Sequence, residues 1–345
     1  MQRTQINLRA IITIVAVLVL AVFMAGLYSQ HAQAATANTL KVSPVRSDIE
    51  LKPGESKTIK TVVTNLTKEE ISVRPVTNDF VADGERGVPA LILEADEFAK
   101  SHSLKRFMAP LADFTIPADS SKVIEVTLNA PRDAKPGGYF GAVRFAPTDP
   151  DGGGQVNLSA SVASIILATI PGEVTQKLTL TDFDILQGAQ GDINIETQDK
   201  RQSRTYFTTP ENLQASFRFT SESGIQLAPF GKVSVKKGGS VVYETDFNNK
   251  APRDMILPDS ARRWDVPLEK IGNFGKYEVA ATFTYGTKNQ TIEVTKSFWV
   301  IPQLYIILAI VGLVVLLVVI RLVIWLIGRK AKNRKPGASV TRRRN

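Results

Sequence analysis

The chain has 345 residues, 42 of them Lys or Arg against 33 Asp or Glu, giving a net charge of +9, and it contains no cysteine. Lack of cysteine excludes a disulfide scaffold, a thiolate zinc site and a thiol nucleophile. His31 and His102 are the only histidines, so any imidazole chemistry rests on those two residues.

The N-terminus reads as an export signal. Met1–Arg9 carries Arg3 and Arg9 without an acid, and Ala10–Leu27 follows as an uncharged apolar run. Ala32 and Ala34 then place small residues where a signal peptidase reads. This layout predicts a signal peptide over 1–34, cleaved after Ala34. The apolar run also reaches the lower length of a membrane span, so an uncleaved anchor stays open as the alternative. In both cases the arginine-flanked start stays inside and the rest is exported.

The C-terminus mirrors it. Leu304–Ile327 is apolar apart from Arg321. At 1.5 Å per residue it reaches about 36 Å, enough for a hydrocarbon core of about 30 Å. Arg321 lies close enough to the end to snorkel toward the headgroups. Trp299 and Tyr305 mark one interface and Trp325 the other. A basic tail begins with Arg329 and Lys330, and no acid follows Glu293. The expected division is a transmembrane helix over 301–328 and a cytoplasmic tail over 329–345.

The charge is segregated. The front end carries +2 and the back end +9, so against a total of +9 the segment between the spans is −2. The basic balance belongs to the membrane-flanking ends, where it orients the chain and favours contact with the lipid bilayer. It is not the footprint of a nucleic-acid-binding domain.

Between the spans the pattern is all-β. Alternation or β-branched enrichment predicts strands over 56–64, 71–76, 123–128, 139–145 and 161–170 in a first unit, 35–173. A second unit, 174–300, has candidates over 178–185, 213–220, 233–235, 241–247, 277–285 and 291–299. Gly238-Gly239 reads as a hairpin turn. Only Glu94–Met108 has a helical pattern, and 187–212 reads as a long polar loop. Short strands at this spacing predict two tandem antiparallel Ig-like β-sandwiches.

Several stretches of the first unit carry a family likeness. They are Leu40–Pro44, Ile49–Glu55, Val62–Asn65, Asn78–Phe80, Phe114–Ala118, Ala130–Ala134 and Pro136–Gly141. In this order they resemble the N-terminal domain of the WxL-interacting proteins of Gram-positive cell surfaces. In the second unit, Ile256–Pro258, Arg262–Trp264 and Phe274–Tyr277 resemble the Ig-like domain that precedes the terminal helix in such proteins. The resemblance implies a signal, two Ig-like domains, one transmembrane helix and a basic tail. It further implies contact with peptidoglycan and with WxL-type surface proteins.

Catalytic patterns are poor. A Ser-His-Asp triad would need His102. Ser234 and Lys237 fit S-x-x-K, but strand alternation points them to opposite faces. Asp96-Glu97 reads as solvated charge. Asp149 and Asp151, before three glycines, are weak calcium candidates without the regular ligand series of an EF-type loop, and Asp83-Gly84-Glu85 reads as a hairpin tip. Arg74, Tyr139 and Arg144 are the candidate ligand face. LP-x-T-G is absent, so the helix is expected to stay as an anchor.

The expectation is a single-pass bacterial cell-membrane protein, without catalysis or cofactor, whose extracellular segment 35–300 binds peptidoglycan or co-displayed surface proteins in a structural or adhesive role. The alternative is a chaperone-like extracytoplasmic module that binds extended peptides by strand addition, for which the long terminal strand Ser161–Ile170 is the motive.

Overall fold

The computed structural model describes residues 39–148, 161–188 and 204–332, with side chains through Trp325. The signal segment with Ala32 and Ala34, the Asp149–Asp151 stretch and the tail beyond Lys332 lie outside the described residues.

The first unit is built from β1 (Leu40–Ser43), β2 (Arg46–Glu50), β3 (Ser56–Asn65), β4 (Ile71–Asp83), β5 (Val88–Leu91), β6 (Phe114–Ile116), β7 (Ser121–Asn129), β8 (Gly137–Thr148) and β9 (Val162–Ile170). One sheet runs β1-β3-β7 and the other β2-β9-β8-β4-β5, with β6 also on β4. The second unit has β10 (Leu178–Gln187), β11 (Tyr206–Phe207), β12 (Leu213–Ser221), β13 (Phe230–Lys237), β14 (Ser240–Phe247), β15 (Ala261–Pro267), β16 (Gly275–Tyr285) and β17 (Gln290–Val300). Its sheets are β10-β12-β15 and β11-β17-β16-β13-β14. Both units are Ig-like sandwiches. The pairing is antiparallel except where β2 joins β9 and β11 joins β17, each in parallel. A cis Ser43-Pro44 bond lies where the chain leaves β1 in one sheet for β2 in the other.

Alternation places the cores. In β16, Tyr277, Val279, Ala281, Phe283 and Tyr285 are all buried, as a strand with one wet face requires. Phe283 sits at the centre of an aromatic cluster, with Phe217, Phe219 and Phe247 at centroid distances of 4.9, 5.1 and 4.8 Å and tilted or edge-on rings. The first core is mainly aliphatic, built around Leu51, Val63, Val126 and Leu128 with Phe107 and Phe145 among them.

The expected helix over Glu94–Met108 does not form. A single 3-10 turn, Lys105–Phe107, is all that is helical there. The buried Asp79 carboxylate explains this, since its two oxygens accept the backbone N–H groups of Ala99 (3.0 Å) and Lys105 (2.8 Å). That holds the segment as an irregular strap across the sheet instead of closing its own i→i−4 bonds.

The helix α1 spans Gln303–Lys332. Its stretch Gln303–Trp325, with a mean hydropathy of 3.3, is long and apolar enough to cross a membrane. Leu304 and Arg321 lie within it, and Arg329 and Lys330 fall in its last turns.

Truncation of Phe283 to alanine removes the hub of the second core. We expect Phe283→Ala to destabilise that domain by about 3–5 kcal/mol, read as a lowered denaturant midpoint of the full chain in detergent.

Candidate functional site

The inner face of the β2-β9-β8-β4-β5 sheet carries Val73, Val143 and Phe145 toward the first core. Its outer face is apolar as well. Phe80 on β4, Phe140 and Ala142 on β8 and Leu167 on β9 are buried there, packed with Met255 and Leu257 of the second domain. A half-buried sheet would carry polar residues at those positions. Here the loop of the second domain between β14 and β15 lies across them.

Polar contacts fix this docking. Gly138 donates its N–H to Gly224 O at 2.8 Å. Gln226 Nε2 donates to Thr169 Oγ1 at 3.0 Å. The strongest set lies at the β4–β5 turn. Glu85 accepts from Arg218 Nε at 2.6 Å and from Arg263 Nε at 3.2 Å, and Arg263 also reaches Asp182 at 3.0 Å. The Arg263 backbone N–H donates to Glu85 O at 2.8 Å, so the turn also covers part of the free edge of β15. Burial by itself would raise the Glu85 pKa. The hydrogen bonds and charges of Arg218 and then Arg263 outweigh it and hold the carboxyl below its ordinary 4.5. Gly87, at φ +72°, ends this turn, and a Cβ there would lie 2.1 Å from the guanidinium carbon of Arg262. No other residue type fits both requirements.

Between the domains a cavity of about 570 Å³ remains. Phe80, Ala82, Val88, Ile165, Leu167 and Leu257 form much of its wall, and Arg46 and Arg262 enter it from opposite domains. Their side chains are only 16% and 13% exposed. Arg46 pairs with Asp48 at 2.9 Å and donates to Arg253 O at 2.7 Å. Arg262 pairs with Asp254 at 3.2 Å and donates to Met255 O, while its Nε is buried without a partner among the described residues. Burial pulls the Arg262 pKa down. Asp254 opposes that shift and the nearby Arg46 charge adds to it.

The expected ligand face divides. Tyr139 packs against the first core, 4.8 Å from the Phe107 ring, and its hydroxyl donates to Lys135 O. Burial raises its pKa against that backbone bond. Arg144 and Arg74 alternate to the outer face. Arg74 makes an exposed ion pair with Asp113 at 3.1 Å. Arg144 is half-buried, with its Nε unpartnered among the described residues. The three therefore do not form one surface. His102 Nδ1 is 2.6 Å from Gly138 O and stacks among Tyr139 and Phe140. Ser234 donates to Ala280 O and Lys237 to Phe274 O, so the S-x-x-K pair is committed elsewhere. Asp83-Gly84-Glu85 is the β4–β5 turn, with Glu85 spent on the arginine clamp. Sequence reasoning did not find Arg46 or Arg262 as site residues and weighed Glu85 only as a calcium oxygen, because their partners lie far away along the chain.

The sheet edges differ in a second functional respect. β9, the last strand of the first domain, is covered by β2 from Ile165 to Thr169. It is therefore not the free terminal strand that motivated strand addition. β17, the last strand of the second domain, is covered by β11 only at Trp299 and Val300. Gln290–Ser297 pairs with β16 on one side without a bulge and has no strand on the other among the described residues. By contrast, β10 and β14 are edge strands with a bulge, and β14 also carries the exposed acids Glu244 and Asp246.

No family model matches the chain, and no curated protein matches it. Among solved structures, it is similar to the class 5 fimbriae chaperone CfaA, at 14% identity over 75% of this chain and 98% of that one, with a TM-score of 0.36. A structure of the CsuC–CsuE chaperone–tip adhesion subunit complex from Acinetobacter baumannii matches at 12% identity, over 74% and 97% of the two chains, with a TM-score of 0.34. The Pseudomonas aeruginosa CupB2 chaperone matches at 7% identity, over 74% and 99%, with a TM-score of 0.32.

Glu85 sets a pH dependence for the docking. A carboxyl whose pKa is depressed in the folded state contributes stability that is present above its unfolded pKa and lost as pH falls through the folded one. Docking should be intact at neutral pH and weaken as the pH drops below about 4.5. Glu85→Gln should loosen the Arg263 amide at neutral pH and remove this part of the acid response, both read by hydrogen exchange at pH 7 and pH 4.

Proposed function

We propose that the chain is a membrane-tethered, non-catalytic envelope module that binds an extended segment of another protein by adding it as a strand along β17. The observation that carries this reading is the edge Gln290–Ser297, which no strand covers among the described residues. Such an edge presents backbone N–H and C=O groups that need partners, and proteins usually blunt it with a bulge, a proline or a cover. Ile292 and Val294 face the second core, while Thr291, Glu293, Thr295 and Ser297 are exposed. An incoming strand therefore meets an alternating surface. Lys296 reaches inward to Phe183 O at 2.7 Å and to the Asp184 carboxylate, which ties β17 to the opposite sheet.

The tether follows from α1. The cations after its apolar stretch favour a cytoplasmic C-terminus, with both sandwiches outside. The likeness of 40–141 to WxL-interacting proteins supports a cell-envelope setting, with a co-displayed surface protein as the partner. The fimbrial chaperones are proteins of a related build, one of them seen with an adhesion subunit. Peptidoglycan is the less supported ligand, because Tyr139 is turned away from Arg74 and Arg144.

A peptide of alternating valine and threonine tests the edge on the full chain in detergent. Alternate amides of Thr291–Ser297 should exchange about tenfold more slowly with peptide present, while β14 stays unchanged. Bound peptide without added protection along β17 would refute the assignment.

A further inference from the structure

The crevice between the domains has the chemistry of a small-molecule site, and its contents are independent of what β17 pairs with. Its volume of about 570 Å³ lies within the range of ligand pockets. Most of the wall is hydrocarbon or aromatic, from Phe80, Ile165, Leu167 and Leu257. The charged side chains in that wall are Arg46, Arg262 and Asp254; each arginine has a carboxylate partner, Asp48 and Asp254, that is far more exposed than the guanidinium it pairs.

We propose that this crevice binds a single-chain anionic amphiphile, a carboxylate carried on an unbranched hydrocarbon tail, with the head at Arg46 and Arg262 and the tail along the Phe80–Leu167 wall.

Three physical points select this class. A guanidinium taken out of water needs acceptors for its donors, and leaving a buried donor unmet is costly, the more so when it is charged. Arg262 has such a donor in its Nε, which lies beside Gly87 at the rim of the cavity and is unpartnered among the described residues. A carboxylate also matches the planar fork of arginine. A sugar fits poorly, since its many hydroxyls would face a wall with few polar partners. A neutral apolar molecule would fill the wall and leave both cations as they are. The positions of the two arginines on opposite domains add a consequence: the head group would bridge β2 of the first domain to β15 of the second, so a bound acid should tighten the docking.

The test uses the full chain in nanodiscs of zwitterionic lipid, with a dodecanoate bearing a diazirine near its tail end, and the matching dodecanol probe. After illumination, peptide mapping should place the acid's adducts on the stretches around Leu167 and Met255–Leu257. Arg262→Gln should lower this labelling about tenfold or more, as expected for loss of a hydrogen bond to a charged group. Because that variant could also disturb the docking, Ala82→Trp serves as the second arm. It fills the cavity from a partly exposed position on β4 and leaves both arginines in place, and it should abolish the crevice adducts. Repeating the labelling in phosphatidylglycerol discs separates a free acid from a lipid head group, for only the lipid reading predicts competition there. Equal labelling by acid and alcohol, adducts confined to α1, competition by phosphatidylglycerol, or crevice labelling that survives Ala82→Trp would each overturn the proposal.

Discussion

A sheet with apolar residues on both faces cannot stand alone in water. Phe80, Phe140, Ala142 and Leu167 lie on the side of the first domain's larger sheet that faces away from its own core, and all four are buried. Burying side chains of this size is worth about 1.5–3 kcal/mol each for the larger ones. The second domain supplies the cover, with Met255 and Leu257 inserted against that face. The order of the two sandwiches, the reach of the β4–β5 turn and the existence of a crevice all follow from this one need. The turn must extend to meet β15, and Glu85 then holds Arg218 and Arg263 around it.

The same docking separates structural from functional surfaces. Glu85 and Gly87 are absorbed in holding the domains, and so are the outer face of the first sheet and much of the β15 edge. What is left open is the part of the crevice that the loop does not fill and the long flank of β17. The two lie in different places and offer different chemistry. The crevice presents an apolar wall with two guanidiniums, and the flank presents peptide groups that no strand pairs among the described residues.

Alternation made the half-buried strands legible. Ser56–Asn65, Ser121–Asn129, Gly275–Tyr285 and Gln290–Val300 each have a wet and a dry face, and each was expected to within a few residues. β15 was missed because only Trp264 and Val266 of Ala-Arg-Arg-Trp-Asp-Val-Pro face the core, and its arginines are made compatible with a strand by Glu85, Asp182 and Asp254. β5 was missed because Pro89 and the short Val88–Leu91 run look like loop. The expected helix over Glu94–Met108 lost to a carboxylate, Asp79, that is distant in sequence. The crevice was invisible for the same kind of reason. Arg46, Phe80, Leu167 and Arg262 belong to four separated strands, and no local pattern joins them. The C-terminal helix was the easiest element to read, since it needs only length and hydrocarbon.

The join between β17 and α1 is very short, with Ile301 and Pro302 between a strand that ends at Val300 and a helix that begins at Gln303. Proline restricts its own backbone and that of the residue before it. Phe274, half exposed on the adjoining loop, touches Tyr305 in the first turn of the helix at a ring separation of 5.3 Å. The lower sandwich is therefore seated on its pedestal rather than swinging from a cord. The second sandwich and the apolar helix therefore move as one piece, so wherever the helix is fixed sets the height and tilt of the domain above it.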